Sequence, residues 1–223
     1  MKRDKRLLFL GIVTLIFTVC YTILLCLFDR QPIGPENSVV GFASINAYFR
    51  DLFPFNETIY KVTEVIGYAV IGIAALMMLF ALVQLIKRKS LFKVDRNLIH
   101  LGFFYVIVFA LYIIFDKVVI NYRPVILDEG LEASYPSSHT MLSVCIMFSL
   151  IMQLSFYIKG RKSFTVISFI CTIIALAVAG GRFISGVHWF TDIIGGLLFS
   201  ATLLCFHSFI LMGADRKKET GER

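Results

Sequence analysis

Six stretches of this 223-residue chain, 7–28, 65–86, 97–115, 140–158, 163–181 and 193–214, contain no Asp, Glu, Lys or Arg. Each reaches the roughly 18–20 residues that carry a helix across about 30 Å of hydrocarbon. Composition agrees. The chain is 58% hydrophobic and 17% charged, with a mean hydropathy of +0.80, whereas a soluble globule carries about 25% charged residues. A disordered chain, a small disulfide-stapled secreted domain and an ordinary soluble globule are all excluded. The expected fold class is all-α: a polytopic membrane protein, residues 1–223 forming one integral unit with six transmembrane helices.

The net charge of +7 takes its meaning from where the charges fall. The N-terminus, the 87–96 loop, the 159–162 turn and the C-terminal tail alternate with the other connections along the chain. They hold 16 of the 22 basic residues but five of the 15 acids. One face is thus +11 and the other −4. Lys and Arg bias loops toward the cytoplasm, so both termini are expected inside and loops 29–64, 116–139 and 182–192 outside, in a plasma (inner) membrane. The basic excess reports topology and gives no reason to expect a nucleic-acid partner. The first apolar run, 22 residues long, exceeds a signal-peptide core and lacks an A-x-A site after it. All five cysteines lie within spans, which argues against a disulfide framework. In the first outer loop, Phe42, Ile45, Phe49, Leu52 and Phe53 fall at helical spacing opposite Asn46, Arg50 and Asp51. That pattern suits either a helix lying in the interface or a lid packed on the bundle.

Charge near a membrane is costly unless paired or functional, so polar residues at span ends carry information. His100 and His207 read as structural. His139 and His188 sit at the outer level, as do Arg123 and Arg182. In the second outer loop, Pro124 is expected to end the third helix and leave Arg123 at its outer end. Pro136 and Ser137 read as the start of the fourth helix, with Ser137 as cap. A helix N-terminus favours a bound anion, and Ser137, Ser138 and His139 all lie in that first turn. In the third segment, His188 and Asp192 are four residues apart and would share a helical face. An aspartate on one imidazole nitrogen would fix the tautomer and leave the other nitrogen free to attack. Two guanidiniums, a helix N-terminus and two histidines make a site for a phosphate. A metal site built from His139, His188, Asp192, Asp128, Glu129 and Glu132 is the chemical rival. The two arginines would repel a cation, and no H-E-x-x-H spacing is present, so neither metal nor cofactor is expected.

These residues resemble the type 2 phosphatidic acid phosphatase superfamily, whose motifs are Lys, six residues, Arg-Pro; Pro-Ser-Gly-His; and Ser-Arg, five residues, His, three residues, Asp. Arg123-Pro124, Pro136-Ser137-Ser138-His139 and Arg182, His188, Asp192 match, with Ser138 for glycine and Gly181 for serine. Lys117 is separated from Arg123 by five residues, so on a continued helix it would point about 100° from the expected face. The resemblance implies that His188 attacks phosphorus, Asp192 supports it, and His139 serves as acid and then base. It implies phosphate binding by Arg123, Arg182, Ser137, the Ser138 backbone and Lys117. The implied substrate is a membrane lipid with a phosphomonoester or diphosphate headgroup: phosphatidate, phosphatidylglycerol phosphate or undecaprenyl diphosphate. A lipid phosphotransferase and a non-enzymatic binder of anionic lipid remain the alternatives.

Overall fold

The computed structural model describes residues 2–127 and 130–219. Seven α-helices follow one another among them: α1 (Lys2–Leu27), α2 (Ala43–Leu52), α3 (Glu57–Arg88), α4 (Arg96–Lys117), α5 (Ser138–Tyr157), α6 (Arg161–Ile184) and α7 (Phe190–Glu219). No β-strand occurs among the described residues, only isolated bridges. Five helices, α1, α3, α4, α6 and α7, are long and apolar enough to cross a bilayer. The fourth expected span, 140–158, becomes α5, whose apolar stretch Ser138–Leu154 is shorter. Its position explains the difference. It packs against α3, α4, α6 and α7, so its surroundings are protein, and Ser143, Ser149 and Gln153 are buried there with little exposure. Ser149 donates to the Tyr105 hydroxyl, and Gln153 to the Asn97 carbonyl. A helix sheathed by others can carry polar groups that lipid would penalise. Lipid-facing side chains on the outer helices, such as Phe9, Leu76, Phe103 and Phe169, remain exposed.

α3 begins well ahead of its charge-free stretch, and α4 ends well short of Arg123. α3 begins at Glu57, eight residues before 65, because Asn56 caps it by accepting from the Ile59 N–H at 3.0 Å. Its 32 residues extend about 48 Å, so its first two turns can carry Lys61 and Glu64 outside the apolar layer. The third helix, α4, stops at Lys117, and Arg123 therefore lies six residues beyond its end instead of on it. The β-branched run Val118-Val119-Ile120 leads instead into a narrow loop. There Tyr122 bridges Ala133, the Arg123 N–H donates to the Glu132 carbonyl, and the Ser134 N–H donates to the Asn121 carbonyl.

α2 joins the two readings of its loop. Buried Asn46 donates to the Gly41 carbonyl and the Thr191 hydroxyl, and accepts from the Thr191 N–H at 3.2 Å. It thereby satisfies a donor in the first turn of α7 that would otherwise lack a partner. Phe49 stacks on Phe190 at 4.4 Å. On the other face Ile45, Tyr48 and Leu52 are exposed, an apolar side suited to the interface.

α3 and α6 approach where Gly181 meets Thr63: a Cβ at 181 would overlap Thr63 Cγ2. Thr63 is buried and bonded to the Ile59 and Tyr60 carbonyls, so it cannot easily yield. The serine expected at 181 from the family motif is therefore excluded by a neighbour on another helix. Gly181→Ser should destabilise the protein by about 1–3 kcal/mol. Combining it with Thr63→Ser, which removes the obstructing methyl, should recover most of that loss in thermal unfolding of detergent-purified protein. An additive double variant would contradict the contact.

Candidate active site

Three chain segments meet at the end of the bundle where α5 and α7 begin. The first is the loop after α4, bearing Arg123 and Ser134. Trp189, fully buried, anchors it by donating its indole N–H to the Tyr122 carbonyl at 2.6 Å. The second is the start of α5, fixed by the Ser137 N–H donating to the Asp192 carbonyl at 3.0 Å. The third runs from the end of α6 into α7. It is stitched to α3 by the Asn56 N–H donating to the Ser185 carbonyl.

Asp192 is the third residue of α7, and its Oδ2 accepts from the Trp189 N–H at 2.9 Å. This is the return half of a capping box, in which an acid in the first turn satisfies the donor just before the helix. His188 lies ahead of α7, not on it, so the pair meets across the cap and not along a helical face. The Nδ1–Oδ2 distance is 3.6 Å. Between them stands Ser134, whose Oγ donates to Asp192 Oδ2 and lies 3.1 Å from His188 Nδ1. Burial, then the charges of Arg123, Arg182 and His139, hold the His188 imidazole well below the usual histidine range. It is therefore neutral near pH 7, with Nε2 buried and without a protein partner.

Beside this group lies a cavity of about 790 Å³ walled by Arg123, Arg182, His139, Ser138, Tyr60 and Glu64, among others. Arg182, fully buried, donates from one Nη to His139 Nδ1 at 2.7 Å and sits 4.9 Å over the Tyr60 ring. Among the described residues no carboxylate pairs with it. Its Nε and second Nη have no partner, as is true of Arg123 Nε and Nη1 and of His139 Nε2. Because Arg182 can only donate, His139 Nδ1 accepts, and the imidazole proton lies on Nε2. The His139 ring rests on Gly67 of α3, where a Cβ would come within 2.5 Å of Cδ2. Arg123 also pairs with Glu132 at 3.1 Å.

The remaining expected residues divide. Ser138 reaches the cavity wall. Ser137 caps α5 in position only: its side chain accepts no bond from the helix backbone and instead accepts from the Thr140 hydroxyl. His188 and Asp192 lie behind the cavity wall, with His188 bordering a crevice of about 10 Å³. Lys117 points outward, exposed and paired with Asp116 at 2.9 Å; Asp116, not Lys117, borders the cavity. Of the acids weighed as metal ligands, Asp128 and Glu129 lie outside the described residues, and Glu132 is engaged by Arg123. No group of three or more His, Cys, Asp or Glu among the described residues is placed to hold a metal ion. Sequence reasoning passed over Ser134, Tyr60 and Glu64. The first stands just ahead of the Pro-Ser motif, and the others sit on the charged extension of α3 that a search for charge-free spans discards.

Residues 119–214 match the family model of the PAP2 superfamily. Phosphatidylglycerophosphatase B of Bacillus subtilis (strain 168) is 33% identical over 106 residues, covering 46% of this chain and 48% of that protein. The chain thus spans about half the length of this curated relative. The crystal structure of a transmembrane PAP2-type phosphatidylglycerolphosphate phosphatase from Bacillus subtilis superposes with a TM-score of 0.59. It is 22% identical and covers 93% of this chain and 96% of its own, so it speaks for the fold. The matched region, somewhat under half of the chain, contains Arg123, the Pro136–His139 turn, Arg182, His188 and Asp192, and the chain is a multi-pass membrane protein that carries a PAP2-like region.

Proposed function

We propose that this protein is a membrane lipid phosphatase that acts as one unit and removes a terminal phosphate through a phosphohistidine at His188. One observation carries the reading. Two guanidiniums and the His139 imidazole present unpartnered nitrogens to a cavity that shares lining residues with an apolar groove, and the unpartnered Nε2 of His188 lies just behind the cavity wall. Ile71 and Phe109 border both spaces. The groove, between α3 and α4, has a volume of about 530 Å³ and is lined by Ala74, Ala75, Gly102 and Ala110 among others. A phosphate fits the first space and a hydrocarbon tail the second. Two arginines favour a tetrahedral dianion and disfavour a cation. The phosphatidylglycerophosphatase relative makes phosphatidylglycerol phosphate the first substrate to test. Phosphatidate and undecaprenyl diphosphate share its chemistry.

The chemistry follows from the side chains. Arg123 and Arg182 bind the non-bridging oxygens, with the Ser138 N–H at the α5 start as a further donor. Arg182 then exchanges His139 Nδ1 for a phosphate oxygen, and His139 takes a second proton from solvent. His188 Nε2 donates its lone pair to phosphorus. The bond from phosphorus to the headgroup oxygen breaks, and His139 protonates the leaving oxygen. Neutral His139 next takes a proton from water as that water attacks phosphorus. Inorganic phosphate leaves and His188 returns to its neutral form. Ser137 supports the α5 turn, and Lys117 lies too far outside to serve. The charge distribution supports termini in the cytoplasm, α5 as a sixth span, and a cavity opening on the outer face of the plasma membrane.

Phosphate release by purified protein from phosphatidylglycerol phosphate should persist in EDTA, and His188→Ala should lower kcat by at least about 10³-fold. A near-normal rate in that variant, or loss in EDTA restored by a divalent ion, would overturn the mechanism. Gly102→Leu puts a side chain into the tail groove, where a Cβ meets only Met78 Sδ at 3.9 Å. It should raise KM for a long-chain substrate several-fold more than for a short-chain analogue. Equal effects on both would place the tail elsewhere.

A further inference from the structure

We infer that Ser134 is the positioning residue through which Asp192 holds the His188 nucleophile. The inference rests on the proposed phosphatase reading and adds a residue that the three motifs do not contain. Ser134 is buried at 1% exposure and comes from the loop after α4, a segment separate from the one that supplies His188 and Asp192.

Hydrogen-bond capacity fixes the direction of each bond. With Asp192 ionised, its oxygens only accept, and Oδ2 already accepts from the Trp189 N–H. The single Ser134 hydroxyl proton must therefore go to Asp192. Its Oγ is left as an acceptor, and His188 Nδ1, 3.1 Å away, must carry a proton to fill it. That assigns the tautomer: proton on Nδ1, lone pair on Nε2. The direct separation of 3.6 Å between His188 Nδ1 and Asp192 Oδ2 is too long for a hydrogen bond, so the serine is the contact. When Nε2 bonds to phosphorus the ring gains a positive charge and keeps its Nδ1 proton. The Ser134 dipole, oriented by Asp192, faces that charge, and no proton has to move along the chain of three groups.

The anchoring of the loop serves the same purpose. The Ser134 N–H donates to the Asn121 carbonyl at 2.9 Å, and Trp189, the neighbour of His188, donates to Tyr122 at 2.6 Å. These bonds tie Ser134 to the segment whose histidine it orients. The loop that delivers Arg123 to the phosphate thus also delivers the serine to the nucleophile.

The test is Ser134→Ala with Ser134→Thr as the conservative partner, assayed with phosphatidylglycerol phosphate in detergent. ¹⁵N-histidine spectra of each protein would be recorded alongside, the His188 signals being assigned with His188→Gln. Ser134→Ala should lower kcat by about 10- to 100-fold, as loss of a group that orients a reactive histidine does, and leave KM within about twofold. Ser134→Thr should regain most of the rate. The wild-type spectrum should show His188 protonated on Nδ1 alone, and Ser134→Ala should show a mixture of tautomers. Wild-type kcat with a single Nδ1–H tautomer in Ser134→Ala would overturn the inference, and so would parallel losses of kcat, KM and thermal stability in both variants. If the wild-type protein releases no phosphate from any lipid, the activity reading fails by itself, and the tautomer spectra alone decide the role of Ser134.

Discussion

Burial of Arg182 with no bonded carboxylate among the described residues is the constraint around which the site end of this bundle is arranged. A cation in a poorly solvated place is costly unless something compensates it. Here the compensation is the Tyr60 ring, one histidine nitrogen and the mouth of a cavity. Among the described residues Glu64 acts on it from the cavity wall but no carboxylate bonds to it, so the guanidinium keeps two nitrogens for an anion. Arg123 is held in a different way. Glu132 partly neutralises it, and its remaining nitrogens are left without partners. Two cations so placed stay together because three well-anchored backbone segments converge there, and the anchors are neutral hydrogen bonds from Asn46, Asn56, Trp189 and Ser137.

The helices divide the labour. α5 and α7 start at the site and present their first turns to it, while α6 ends there and supplies Arg182. α3 lies outside the region matched by the family model, yet it shapes the cavity. Tyr60 and Glu64 form part of the wall, Gly67 makes room for His139, and Thr63 occupies the space a serine at 181 would need. The departure at Gly181 is thus a packing matter between two helices, and the arginines and histidines of the candidate site are arranged without it.

Much of this was legible in the sequence because membrane insertion writes long, charge-free runs, and five of the six became spanning-length helices. The joint spacing of Arg123, His139, Arg182, His188 and Asp192 marked the site before any geometry was known. Periodicity failed where the chain was not helical. The phase argument about Lys117 assumed that α4 continued to Arg123, but the helix stops at Lys117 and the phase has no meaning beyond it. The His188–Asp192 spacing suggested a shared helical face and proved to be a capping arrangement. Ser134 was invisible for a related reason: its partners lie 54 and 58 residues away, and no local pattern encodes a contact made across a fold. α3 began early because Asn56 is a strong cap, a signal that the absence of charge cannot report.

The length of α3 has a further mechanical meaning. At about 48 Å it outruns a hydrocarbon layer of roughly 30 Å, and its protruding first turns are the ones that wall the cavity. The helix therefore acts as a ruler between its basic end at Lys87 and Arg88 and the cavity at its other end. Thickening the host bilayer raises the headgroups relative to that end, and thinning it lowers them, so hydrophobic mismatch becomes a variable that sets how deeply a lipid must ride to reach the cavity.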